Sequence, residues 1–287
     1  MKAANNGSTN GKKLMAARKR QREKLERIPG YIREQSCLYD KHDKLIKWPT
    51  FGYDKDCTEE NTAIIDSFLF DEELVDEMLD KLDISRNYCL DCKSKRTEPM
   101  TFISHSLSTC QIEYMFTKLI PQEGINHVLD IGSRLGAIIY GASIFSEGSF
   151  HTTGIELNPD FEKLTNKVIK RFGLKNVEVV IGNVMSHRDL VARSQVIVMN
   201  NVFSFFLQKH EQIECWEFLH EAMQPGTILI HHPQVDKSLM DLDLSFDYDE
   251  WLELIDTSVE CTEFGGDDEE KYEDCMGINK YVVKERH

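Results

Sequence analysis

Asp130, Gly132 and Gly136 fall in the stretch VLDIGSRLGA (128–137), spaced as a strand that turns through glycine into a helix. Val128, Leu129 and Ile131 are apolar enough to be buried. A helix starting at such a turn leaves its first N–H groups free, and these attract an anionic ligand group. Gly132 permits the tight turn, and Gly136 lets the helix pack close to the strand. Arg134 stands out as a long cation inside that turn. Glu156 ends TTGIEL, where a carboxylate can accept hydrogen bonds from both hydroxyls of a ribose. In MNNVFSFF, the amides of Asn200 and Asn201 can hold an amine without protonating it, and Phe203, Phe205 and Phe206 can wall a channel or simply fill core. His105, in MTFISHS, and His231–His232 lie near the same mouth. Each could act as a base or orient an acceptor, although capping or packing is the simpler role.

Such residues need strands that end on one edge. Beyond Gly124 the chain alternates between strand and helix. The expected strands are His127–Ile131, TTGIEL, VEVVIG, QVIVMN and GTILIHH, with helices through LGAIIYGASIF, FEKLTNKVIKRFG, SHRDLVAR, EQIECWEFLHEAM and DYDEWLELI. This pattern predicts an α/β fold, with a mostly parallel, doubly wound sheet that binds ligands at the carboxyl ends of its strands. The terminal CMGINKYVVKE reads as a lone strand, and TSVECTEF before it as its partner in a closing antiparallel hairpin.

Three regions are expected: a basic, largely disordered arm (1–35), a helical N-terminal extension or cap (36–123) and the ligand-binding domain (124–287). In the arm, KKLMAARKRQREKLER favours helix, with Pro29-Gly30 as its stop. Thr58–Leu82 shows helical spacing of apolar residues, and a capped helix ending at Pro121 precedes the domain. This extension is expected to lie across the mouth.

The 287 residues carry 34 Lys and Arg against 49 Asp and Glu, a formal net charge of −15. Residues 1–35 hold ten basic and three acidic residues, so the rest is more acidic still. An acidic body suits a basic partner better than a phosphate backbone. The arm could be a localisation signal or touch RNA. Neither a membrane span nor a signal-peptide core is present, which predicts a cytoplasmic or nuclear protein. Eight cysteines read as reduced thiols. Only Cys89 and Cys92 are closely paired, and a zinc site would need further ligands such as Cys37, His42 or Cys57; no metal is assigned.

VLDIGSRLG followed by TGIEL, IGNVM and VIVMNNVF resembles the seven-strand, Rossmann-like class of S-adenosylmethionine-dependent methyltransferases, over about residues 100–287. The resemblance implies that sheet, its terminal hairpin and S-adenosylmethionine as cofactor. It assigns Gly132 and Ser133 to the methionine half and Glu156 to the ribose. Asn183 and Val184 would flank the adenine, and Asn200 would face the reacting methyl group. Asp130 and Gly136 complete the cofactor set, and Asn200, Asn201 and Phe203 the transfer site. The Asn-Asn-x-x-Phe run and the DxGS turn are also similar to the non-SET histone-lysine methyltransferases. A nicotinamide dehydrogenase would need Gly-x-Gly-x-x-Gly, which GSRLGA lacks. The expected acceptor is a nitrogen of a basic protein or another macromolecule. Two alternatives stay open: an inactive binding protein that keeps the fold, with Arg134 as its hint, and an RNA-directed enzyme using the arm.

Overall fold

The computed structural model describes residues 5–35, 46–81, 85–89 and 97–286. At its centre is a seven-stranded sheet. Five strands are parallel: β5 (His127–Ile131), β6 (His151–Glu156), β7 (Val177–Ile181), β8 (Val196–Asn200) and β9 (Ile228–His232). Antiparallel β10 (Leu252–Ile255) and β11 (Asn279–Val283) close it, giving the order β10-β11-β9-β8-β5-β6-β7. The order reverses beside β5, so a crevice opens at the carboxyl ends of β5 and β8.

The closing hairpin is present, but its first strand is not TSVECTEF. That segment forms a helix, Ser258–Gly265, and the pairing strand comes earlier, directly after a one-turn helix at Tyr248–Trp251. Leu252 and Trp251 are buried under the sheet, which fixes the strand there.

Two helices pack on one face of the sheet, α4 (Ala137–Phe145) after β5 and α5 (Pro159–Phe172) after β6. All nine residues of α4 are buried. Pro159 starts α5 behind the Asn158 cap, and left-handed Gly173 ends it, a pairing that suits Pro and Gly at opposite helix ends.

The extension departs from its sequence reading in two places. Helix α1 (Asn5–Gln35) runs straight through Pro29 instead of stopping there, so the arm is a docked helix and not a largely disordered segment. Leu25, Ile28 and Ile32 form a fully buried stripe in the same core as Val128 and Ile139. Arg22 binds both carboxylate oxygens of Glu113 (2.5 and 2.8 Å), on α3 (Thr109–Tyr114), and Gln21 donates to the Ile144 carbonyl (3.0 Å). Interior proline costs about 3 kcal/mol, and burial of the stripe offsets it. Residues 62–64 are the second departure. They form a short parallel strand, β1, paired with β4 (Thr101–Ile103), so the extension is only partly helical; helix α2 is Glu72–Asp80. β2 (Asn87–Cys89) and β3 (Thr97–Pro99) make a further small hairpin. Cys37, His42 and Cys92 lie outside the described residues, as does the side chain of Cys89. No helix among the described residues is long and apolar enough to cross a membrane.

Candidate functional site

The turn after β5 has the expected shape. Gly132 (φ 76°), Arg134 (φ 45°) and Gly136 (φ 78°) are all left-handed. Two positions demand glycine for space as well. A Cβ on Gly132 would come within 2.8 Å of the Val202 side chain, and one on Gly136 within 2.7 Å of Tyr140.

Arg134 does not turn to solvent. Its side chain is 19% exposed and its guanidinium pairs with Asp66, whose side chain is 1% exposed. Asp66 also accepts from Ser106 Oγ (2.7 Å) and from the N–H groups of Phe68 and Leu69 (3.1 and 3.3 Å). The guanidinium carbon lies 5.7 Å from the centre of the Phe161 ring. The arginine therefore fastens the extension across the glycine turn.

Glu156 is buried at the end of β6. Its Oε2 accepts from the Arg134 N–H (2.7 Å) and its Oε1 from the Asn158 N–H (2.8 Å). Burial raises its pKa, and these backbone donors with the Arg134 charge oppose the rise. A carboxylate has lone pairs beyond the two engaged, so a ribose can still be bound.

Among the shielded side-chain oxygens with no hydrogen-bond partner among the described residues are Asp130 Oδ2, Ser133 Oγ and Asn200 Oδ1. Asp130 and Asn200 belong to adjacent strands and Ser133 to the turn itself. Burial, aided by the Glu156 charge, pushes the Asp130 carboxyl up to about 7. Each unsatisfied group costs about 1–3 kcal/mol. A ligand bearing N–H or O–H donors would satisfy them.

Asn183 and Val184 follow β7. Asn183 caps a short turn of helix by accepting from the Met185 N–H (2.9 Å), and Val184 is buried in the core. Asn200 and Asn201 diverge. Left-handed Asn201 (φ 44°) donates its backbone N–H to the His232 carbonyl (2.7 Å) and its amide to Asp54 (3.3 Å). Phe203 packs edge-on against Trp216 (5.7 Å between centroids) and is largely core.

Asp54 escaped the sequence reading. It accepts from Ser204 Oγ (2.6 Å) as well as from Asn201. With Phe51, Tyr53, Phe203, Trp216 and His231 it lines a narrow cleft of about 20 Å³ beside the ends of β8 and β9. Lys237 Nζ lies 4.8 Å from the centre of the Tyr53 ring. His231 Nδ1 is 2.6 Å from the Pro233 carbonyl, which can only accept. The proton is therefore on Nδ1, and Nε2 keeps a lone pair. Burial lowers His231 to about 4, so it is neutral.

His105 contacts the rings of Phe205 (5.2 Å) and Phe206 (5.0 Å). Both its ring nitrogens are buried without partners among the described residues, and burial lowers it to about 4. Asp66 was also missed. Its signal was an acid set between apolar residues in IIDSFLF.

No protein-family model and no curated protein matches this chain. Among solved structures, it is similar to an RNA methyltransferase from Salinibacter ruber in complex with S-adenosyl-L-homocysteine, at 17% identity and a TM-score of 0.38, over 61% of this chain and 90% of that one. A precorrin-6y C5,15-methyltransferase from Geobacter metallireducens matches at 15% identity and TM-score 0.35, over 42% and 59%. NSun6 from Pyrococcus horikoshii matches at 14% and 0.40, over 51% and 42%. These scores are too low to bear on substrate or mechanism. The sheet order, the reversal beside β5 and the antiparallel closing pair rest on this chain's own hydrogen bonds. By that topology the chain has the seven-strand, Rossmann-like fold of the S-adenosylmethionine-dependent methyltransferases.

Proposed function

We propose that this protein is an S-adenosylmethionine-dependent methyltransferase acting on an amine nitrogen of a basic protein segment. The observation that carries the reading is the group of unpartnered oxygens on Asp130, Ser133 and Asn200, beside the Glu156 carboxylate. A cofactor with an ammonium group and a ribose matches that acceptor-rich set. Asp130, Gly132 and Ser133 would hold its methionine end and Glu156 its ribose, with Asn183 and Val184 at the adenine. Gly136 keeps the helix close behind the turn.

When bound, S-adenosylmethionine supplies a methyl group on a sulfonium that departs as a neutral thioether. The protein then has to orient a neutral amine and exclude water. Asn200 would orient the amine, and Asn201 fixes Asp54 at the cleft. Phe203 helps to close the wall. The cleft is narrow, but its lining has the chemistry for a cation at its mouth. Asp54 is its carboxylate, its walls are aromatic, and an alkylammonium, that of Lys237, already rests on Tyr53. The net charge of −15 favours approach of a basic segment.

A second reading is favoured by one contact. Val202 packs against Gly132, where the methionine end would approach, as in a fold kept only as a binding module. Calorimetry with S-adenosylmethionine, followed by incubation of cell extract with methyl-labelled cofactor, separates the two. Binding with label on basic proteins supports the enzyme. Absence of binding supports the module, and label confined to RNA or small molecules overturns the protein acceptor.

A further inference from the structure

A second feature lies at the opposite edge of the sheet from Gly132. The parallel strands run their carboxyl ends to the glycine turn, so the last residues of α4 and α5 reach the amino edge. There a groove forms between α1 and the end of α5, continuing past residues 143–147. Arg20, Lys24 and Arg27 line it from α1, and Arg171 and Lys175 from the other side. The three α1 residues follow helical spacing and lie about 6 and 4.5 Å apart along the axis.

These cations are short of partners. Among the described residues, the side chains of Lys24, Arg27, Arg171 and Lys175 make no ion pair and no hydrogen bond, whereas Lys19, Arg22, Lys118 and Arg188 are each paired with a glutamate. This occurs in a chain with 49 acids to 34 bases. Burial and the neighbouring Lys175 charge both disfavour the ammonium of Lys24. Glu23, Glu34 and Glu147 also border the groove, and of these only Glu23 forms an ion pair, with Lys19. Five cations against these three acids leave the groove net positive, which favours an anion from outside. Tyr31 and Phe172 stand among the cations, half-buried and edge to face at 5.8 Å. Cations beside an aromatic pair suit a strand of phosphates and bases.

We propose that this groove binds the backbone of a single-stranded nucleic acid. The surface is separate from the methyl-transfer site and does not depend on which acceptor is methylated. A strand held there would bring the acidic body close to the basic proteins that accompany nucleic acids.

The test uses the full chain and fluorescence anisotropy with a labelled oligouridylate of about twenty nucleotides. Five neutralised phosphates predict a slope of log affinity against log salt of about −3.5. The pair Lys24→Gln/Lys175→Gln should bind at least tenfold more weakly near 0.1 M salt, with a slope of about −2. The pair Lys12→Gln/Lys13→Gln removes the same charge from exposed positions on α1 and should change affinity less than threefold. Neither pair should melt below the parent, because among the described residues none of the four side chains forms an ion pair or a hydrogen bond, and the first pair also relieves the Lys24–Lys175 repulsion. Equal losses in the two pairs, no loss in either, or equally tight competition by polyglutamate of similar length would overturn the proposal.

Discussion

Arg134, left-handed in the glycine turn, is ion-paired with Asp66 of the N-terminal extension, and its own backbone N–H is bonded to Glu156. One residue thus joins three elements: the cap, the turn and the end of β6. Removing one partner of a buried pair leaves the other charge stranded, at about 3–5 kcal/mol. Asp66→Asn keeps an acceptor for the Phe68 and Leu69 N–H groups while removing the charge. It should lower unfolding free energy in urea by about 3 kcal/mol. A loss under 1 kcal/mol would show that the pair does not fasten the cap.

Glu156→Ala should weaken cofactor binding by roughly 1.5–3 kcal/mol, the scale of hydrogen bonds to a charged group. The Arg134 and Asn158 N–H groups lose their acceptor as well, so the melting temperature should also fall. Calorimetry and melting on one preparation check both. Unchanged affinity would remove Glu156 from the ribose.

Asn200→Ala should cut turnover about 10²-fold while leaving cofactor affinity much less affected. Its Oδ1 has no partner among the described residues, so truncation should not lower stability. A variant as stable as the parent and normally active would exclude Asn200 from the transfer step.

Gly132→Ala tests the close approach at the turn. Its Cβ meets Val202 whether or not cofactor is present, and the residue stays left-handed. We expect about 1–3 kcal/mol of destabilisation without ligand. Adding Val202→Ala should restore only part of it. Full recovery would show that the conformation itself costs nothing.

Acid should reveal the buried histidines. His105 and His231 are held near 4, below the unfolded value of 6.5, so their contribution is present above pH 6.5 and is lost as pH falls towards 4. Asp130 runs the other way. Its folded value of about 7 exceeds 3.8, so the ligand-free fold loses stability as pH rises from about 4 through 7. His105→Phe should flatten the acid limb of the pH profile of unfolding free energy by up to ~3 kcal/mol, and Asp130→Asn should flatten the neutral limb. Profiles parallel to the parent would contradict these assignments.

The strands of the sheet were legible because buried parallel strands are written as short runs of Val, Ile and Leu ending in turn residues. The first strand of the hairpin was not. Leu252–Ile255 follows a turn of helix with no glycine or proline to mark the change. The α1 stripe was hidden because, among its described residues, Leu25, Ile28 and Ile32 are buried with a proline, Pro29, between two of them. At the site, the types and order of Asp130, Gly132, Glu156 and Asn200 were readable. Their partners were not. Arg134 is odd in sequence, but Asp66 is 68 positions away, and no local pattern connects them.

The docking of α1 has a consequence for how the chain folds during synthesis. Gln21 finds its acceptor on Ile144, 123 residues later. The helix therefore leaves the ribosome long before α4 exists to receive it, with Leu25, Ile28 and Ile32 uncovered. At 5–20 residues per second that interval is roughly 6–25 s. A chaperone that binds short apolar stripes flanked by cations should meet the nascent chain in this window and release it once Phe145 has emerged.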